Sequence, residues 1–262
     1  MMIIKAMTVG EILDNTFKLF KDQFKSYMSI VLIAALITLG LGIFALILYY
    51  LFGQIAAVIS MVITLILAIG VYMAMVGGVI KKASEQISGR EISGMEALQF
   101  GKSKLWVLFL GMLLYSIVIA FGGILLLIPG IYLAVSCGLF MQIVTIEEIG
   151  AWSALKRSRE LISGSWWRCF GIMFLITILV SILSVLVQLP VLVAIKLIFG
   201  QSMFGEIVRI IFDVCVSSLI TPLSLIAATL LYYDLRVRKE NLDLQMMVND
   251  LTDTNNPGIS GN

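Results

Sequence analysis

Six long apolar runs alternate with short charged segments along the chain. Residues 27–52 carry no charge, and fifteen of them are Leu, Ile, Val or Phe. At about −0.3 to −0.6 kcal/mol each, these favour bilayer insertion by several kcal/mol, more than one Lys or Asp at about +3 kcal/mol opposes. Residues 54–80 and 105–128 form two further uncharged runs, the second closed by Pro129-Gly130. Residues 131–146 are shorter than the ~20 residues a spanning helix needs. An upright helix, or a Pro-Gly turn lying below the membrane surface, is expected there. Residues 169–195 and 207–233 complete the set, the last interrupted near its start by Arg209 and Asp213.

Three segments between the runs have helical rather than continuous apolar periodicity. Leu13, Phe17, Phe20, Phe24 and Tyr27 follow 4-3-4-3 spacing, one face of a helix. Thr8 and Glu11 form a T-x-x-E capping box before them, and Ser93 with Glu96 forms a second box ahead of Met95, Leu98 and Trp106. Trp152, Leu155, Leu161 and Ile162 make the third apolar face, with Trp166-Trp167 where the fifth run begins. Glu96-Ala97-Leu98 and Ser153-Ala154-Leu155 align loosely, but Gly10, Gly94 and Gly150 are unevenly spaced, so the repeat is not periodic. The pattern predicts an all-α integral membrane bundle of six transmembrane helices arranged as three hairpins. Each hairpin is preceded by an amphipathic interfacial helix. Residues 1–244 form this domain, and the polar residues 245–262, with Pro257, predict a disordered cytoplasmic tail.

Composition agrees with the pattern: 60% of the residues are hydrophobic and 13% charged, against about 25% charged in a soluble domain. A soluble enzyme, a disordered chain and a nucleic-acid module are excluded. The charge distribution adds an orientation. Sixteen of the 18 Lys and Arg lie in residues 1–26, 81–104, 147–168 and 234–262, and only Lys196 and Arg209 on the other side. By the positive-inside rule both termini are expected in the cytoplasm of a cell-membrane protein, with an almost bare external face. The charged, amphipathic first segment does not read as a cleavable leader, so the first span is expected to act as its own insertion signal. There is no histidine, which removes imidazole catalysis and imidazole metal sites. Cys137, Cys169 and Cys215 lie in or beside apolar runs without metal-type spacing and read as reduced, buried hydrophobes.

Candidate chemistry is confined to a few places. Lys156, Arg157, Arg159 and Arg168 form a basic elbow that can meet anionic lipid headgroups or simply anchor the chain at the interface. Arg236 and Arg238 follow the interfacial pair Tyr232-Tyr233, and the i,i+4 pairs Asp234/Arg238, Arg236/Glu240 and Lys239/Asp243 extend that helix beyond the bilayer. Within the membrane, Gln142, Thr177, Ser181, Ser184, Gln188, Ser218 and Thr221 form polar stripes around Pro222, where a kink is expected. These stripes line a crevice or hydrogen-bond neighbouring helices together. Small residues Ala34, Thr38 and Gly42 in the first run, and Ala56, Ser60, Thr64 and Ala68 in the second, form matching faces for close packing. Asp213 pairs with Arg209 at the outer border.

Two segments carry a resemblance. TPLSLIAATLLYYDLRVRKENLDL, residues 221–244, and ALKRSRELISGSWWR, residues 154–168, after IPGIYLAV, resemble the membrane domain of the glycerophosphoryl diester phosphodiesterase family and related six-helix prokaryotic membrane proteins. The resemblance covers the chain from about Thr8 to Leu244. It implies a membrane module without phosphodiesterase activity, because catalysis in fused relatives belongs to a separate histidine-containing barrel. The resulting expectation is a non-enzymatic module, without cofactor, that contacts anionic lipids of the bilayer, a protein partner or a second copy of itself. The alternative is a small transporter or channel using the polar stripes of the fifth and sixth spans.

Overall fold

The computed structural model describes residues 5–200 and 202–241. The tail at 245–262 and the Lys239/Asp243 pair lie outside the described residues, as does the side chain of Ala56. The described residues are all-α. Helix α1 (Val9–Asp22) leads into α2 (Phe24–Ile87), followed by α3 (Gly94–Ser103), α4 (Leu105–Leu125), α5 (Leu127–Ser136), α6 (Phe140–Ile146), α7 (Ala151–Ile162), α8 (Trp166–Phe199) and α9 (Met203–Glu240). Six segments are long and apolar enough to cross a membrane.

The helix-starting signals operate locally. The Thr8 and Ser93 side chains accept from the backbone N–H of Glu11 and Glu96, whose carboxylates accept in return from the cap N–H groups. The Lys5 ammonium and the Thr8 backbone N–H, both donating to Glu11, draw its pKa from 4.5 down to about 2.

Helix α2 folds back on itself at Gly53, whose φ of 77° and ψ of −165° suit a residue without a Cβ. The two legs return to the same end, where the Tyr27 hydroxyl donates to Gln86 Oε1 at 2.8 Å. The second hairpin turns at Leu126 rather than at Pro129-Gly130. Pro129 sits in the first turn of α5, where its missing N–H breaks no intrahelical bond. The fourth span therefore starts at Leu127 and has 20 residues, so the expected shortness does not arise. It is instead interrupted between α5 and α6, at residues 137–139. Ser158 of α7 serves both sides of the gap: its hydroxyl donates to the Ser136 carbonyl at 3.0 Å and accepts from the Leu139 N–H at 3.2 Å.

Helices α8 and α9 extend past the apolar runs and leave only residues 200–202 between them. Gly200 ends α8 with φ 60°, and the Ser202 hydroxyl caps α9 by accepting from the Gly205 N–H. Pro222 removes one N–H from the ladder of α9, yet the chain stays helical from Met203 to Glu240, and Thr221 Oγ1 donates to the Ser217 carbonyl beside it.

Packing is concentrated at one end of the bundle. Ile12, Tyr27, Ile30, Val79, Ile80, Leu108, Ile143, Ile226, Leu230 and Leu235 are completely buried there. At the other end Leu51, Ile124, Leu197 and Ile198 are largely exposed apolar side chains. The small faces expected to join the two legs of α2 do not approach closely at Gly42, which has open space where a Cβ would stand. Close approach occurs between α2 and α3 instead. A Cβ on Gly101 would stand 2.0 Å from the Ala74 carbonyl oxygen, and one on Gly77 would stand 3.0 Å from Gly101 Cα.

Candidate functional site

The well-packed end is also where the charged segments gather, and two ion-pair networks are built there. The first centres on Asp234, fully buried near the end of α9. Its Oδ1 accepts from the Met7 N–H at 2.7 Å and from Arg238 Nε at 3.0 Å, and its Oδ2 pairs with the Arg168 guanidinium. Arg168 and Arg238 each donate in addition to the Met7 carbonyl, at 2.8 and 3.0 Å. One carboxylate and two guanidiniums thus grip both backbone groups of Met7 and tie the chain ahead of α1 to α8 and α9. A buried carboxylate needs such complete pairing, because each unmet acceptor would carry its full desolvation cost.

The second network is a closed ring. Glu147 accepts from Arg157 Nε at 3.2 Å and from the Tyr232 hydroxyl at 2.9 Å. Tyr232 accepts from Arg236 at 3.2 Å, Arg236 pairs with Glu240 at 2.9 Å, and Glu240 pairs back with Arg157. Close by, Tyr233 and Ser84 share a buried hydrogen bond of 2.7 Å, joining α9 to α2. Lys239 donates to the carbonyls of Glu160 and Ser163, and Lys104 pairs with Glu148 at 2.6 Å. That pairing with Lys104 holds the Glu148 carboxyl below its usual range.

Of the six basic residues singled out as headgroup contacts, Arg157, Arg168, Arg236 and Arg238 therefore have internal partners. Lys156 and Arg159 are exposed and make no ion pair among the described residues. The pairs Asp234/Arg238 and Arg236/Glu240 follow from i,i+4 spacing; the recruitment of Met7, Glu147, Arg157 and Arg168 does not, since it joins residues far apart in the chain. The available hint for Glu147 is its position as the first acid after an apolar run.

Aromatic side chains surround the same end. Trp106 at the start of α4, Trp152 in α7 and Trp167 at the start of α8 are 73%, 59% and 78% exposed. Trp166, between them, is held in place by stacking on Tyr132 and Phe170 and by donating to the Tyr132 carbonyl at 3.2 Å.

The intramembrane polar residues do not converge on one another through hydrogen bonds. Thr177, Ser184 and Thr221 each donate to the carbonyl four residues back in their own helix. The side chains of Ser181, Gln188 and Ser218 make no hydrogen bond among the described residues, and Pro222 and Ser218 are buried. Gln142 is buried in α6 with its Oε1 unpartnered. Asp213 pairs with Arg209 at 3.3 Å, and Arg209 also with Glu206 at 2.9 Å. Among the described residues no cluster of three or more metal-ligating side chains forms. Cys137 and Cys169 are buried and Cys215 is exposed.

No family model matches the chain, and no solved structure matches it. A curated protein described as a UPF0259 membrane protein, from Photorhabdus laumondii subsp. laumondii, is 36% identical over 87 residues. The match covers 33% of this chain and 34% of that relative, so the chain spans about a third of its length. This is a distant similarity to the UPF0259 membrane protein family, and with six candidate spans it describes a multi-pass membrane protein.

Proposed function

We propose that this chain is a non-enzymatic six-span module of the cell membrane, with both termini in the cytoplasm, whose charged end faces the cytoplasm and rests on anionic lipid. The amphipathic helices α1, α3 and α7 then lie at the inner interface, each ahead of its hairpin. The observation that carries this reading is the rim of exposed Trp106, Trp152 and Trp167 around the end that also bears exposed Lys102, Lys156 and Arg159. Amphipathic indole rings favour the headgroup level, and cations beside them gain about 1 kcal/mol each near an anionic surface. The likeness of residues 154–168 and 221–244 to the membrane domain of the glycerophosphoryl diester phosphodiesterase family points to the same class of module. The paired arginines then hold the fold, and Lys156 and Arg159, exposed and without an ion pair among the described residues, meet lipid.

The test is native mass spectrometry of the detergent-solubilised protein titrated with phosphatidylglycerol against phosphatidylcholine. The wild-type chain is expected to retain phosphatidylglycerol preferentially. The double variant Lys156→Gln/Arg159→Gln is expected to lose about tenfold of that preference while its thermal unfolding is unchanged. Full preference in the double variant overturns the reading.

A further inference from the structure

The opposite end of the molecule carries a feature that the anionic-lipid reading does not use. Between the last turns of α8 and the first turns of α9 lies an open cleft of about 470 Å³, lined by Leu192, Val193, Ile195, Lys196, Gly200, Gly205, Glu206 and Arg209. Helix α8 contributes three apolar residues and Lys196 to its lining, and α9 contributes Glu206 and Arg209. Lys196 makes no ion pair among the described residues. Arg209 donates through Nε to Glu206 and through one terminal nitrogen to Asp213, leaving other N–H donors of its five unused. Glu206 accepts from Arg209 through Oε2, and its Oε1 has no hydrogen-bond partner among the described residues.

The depth of the cleft follows from helix length. From the Arg168–Asp234 pair, Lys196 is 28 residues along α8, about 42 Å, and Arg209 is 25 residues back along α9, about 37 Å. A hydrocarbon core is about 30 Å thick, and about 40–45 Å with its headgroup layers. With the charged end in one interface, the cleft lies at headgroup level in the other leaflet. In that placement Leu192 and Val193, four and three residues nearer the core than Lys196, lie towards the level of the acyl chains.

We infer that this cleft binds a phospholipid whose headgroup carries both a phosphate and a primary ammonium, phosphatidylethanolamine being the probe of that chemistry. Lys196 and Arg209 supply donors for the phosphate. Glu206 Oε1 accepts an N–H from the ammonium. The lining holds two cations and one carboxylate, and Arg209 also pairs with Asp213, so its charge complements a zwitterion. A headgroup without an ammonium, such as that of phosphatidylglycerol, offers Glu206 only neutral hydroxyl donors, which bind a carboxylate more weakly than an ammonium N–H does, and a trimethylated ammonium has no N–H to give.

Native mass spectrometry of the full chain in detergent, offered phosphatidylethanolamine, phosphatidylcholine and phosphatidylglycerol in equal amounts, tests this. The wild-type protein is expected to retain one phosphatidylethanolamine in preference to phosphatidylcholine. Glu206→Gln is expected to cut that preference about tenfold, the size of one charge-assisted hydrogen bond. Lys196→Gln, a change at an exposed position, is expected to weaken retention of every phospholipid at this site. The Lys156→Gln/Arg159→Gln variant is expected to leave the phosphatidylethanolamine preference intact, which separates this site from the charged end. A wild-type chain with no such preference, a preference for phosphatidylglycerol that Lys196→Gln abolishes, or a Glu206→Gln variant that retains the wild-type preference overturns the inference.

Discussion

At the residue scale, the decisive group is Asp234. It is completely buried yet meets two guanidiniums and a backbone N–H, so nearly all its acceptor capacity is filled. Breaking such a pair from one side leaves uncompensated charge, which costs about 3–5 kcal/mol when the partners are fully buried. Arg168 and Arg238 are partly exposed, which screens them and places the expected loss for Asp234→Ala at the lower limit, about 3 kcal/mol. Thermal unfolding in detergent micelles should show a lowered midpoint, and limited proteolysis should show faster cleavage ahead of α1. The sequence makes Asp234/Arg238 legible as a helical pair. It is silent on Met7 and Arg168, because their approach depends on how α1, α8 and α9 pack.

At the element scale, the amphipathic helices differ in how they are held. Helix α3 lies against α2 through a face of small residues, Gly94, Ala97 and Gly101, where Gly101 meets the backbone of Ala74 and Gly78. Gly101→Ala puts a methyl carbon 2.0 Å from a carbonyl oxygen, which neither rigid helix can relieve by a rotamer change. The expected outcome is undocking of α3, measured as faster hydrogen exchange across 94–103 and a lower unfolding midpoint. The two capping boxes were readable from T-x-x-E and S-x-x-E spacing, since a cap involves four neighbouring residues. The glycine contact was not readable in that way. Small-residue spacing marked Gly42 instead, where a Cβ would meet open space.

At the scale of the whole molecule, the bundle is tight at its charged end and open at the other. The ionic networks and the buried core coincide at the charged end, and apolar side chains elsewhere face outward, as a lipid-exposed surface requires. The orientation proposed for this arrangement makes Ser202, in the short α8–α9 connection, external. In a chain with its three cysteines replaced, Ser202→Cys is expected to react with a membrane-impermeant maleimide in intact cells. A cysteine placed at Lys156 is expected to react only after permeabilisation. The reverse pattern would overturn the orientation.

The apolar runs determined the class and the six candidate spans, because a bilayer filters segments by length and hydropathy, both local properties. Local spacing likewise determined the capping boxes and the i,i+4 pairs of α9. Only the tertiary structure decided that Leu126 and not Pro129 makes the second turn, that Ser158 repairs the gap between α5 and α6, and that Arg157 and Arg168 serve internal carboxylates. Each of these depends on which helices lie side by side. Pairing energies between distant side chains arise after that choice and leave no periodicity along the chain.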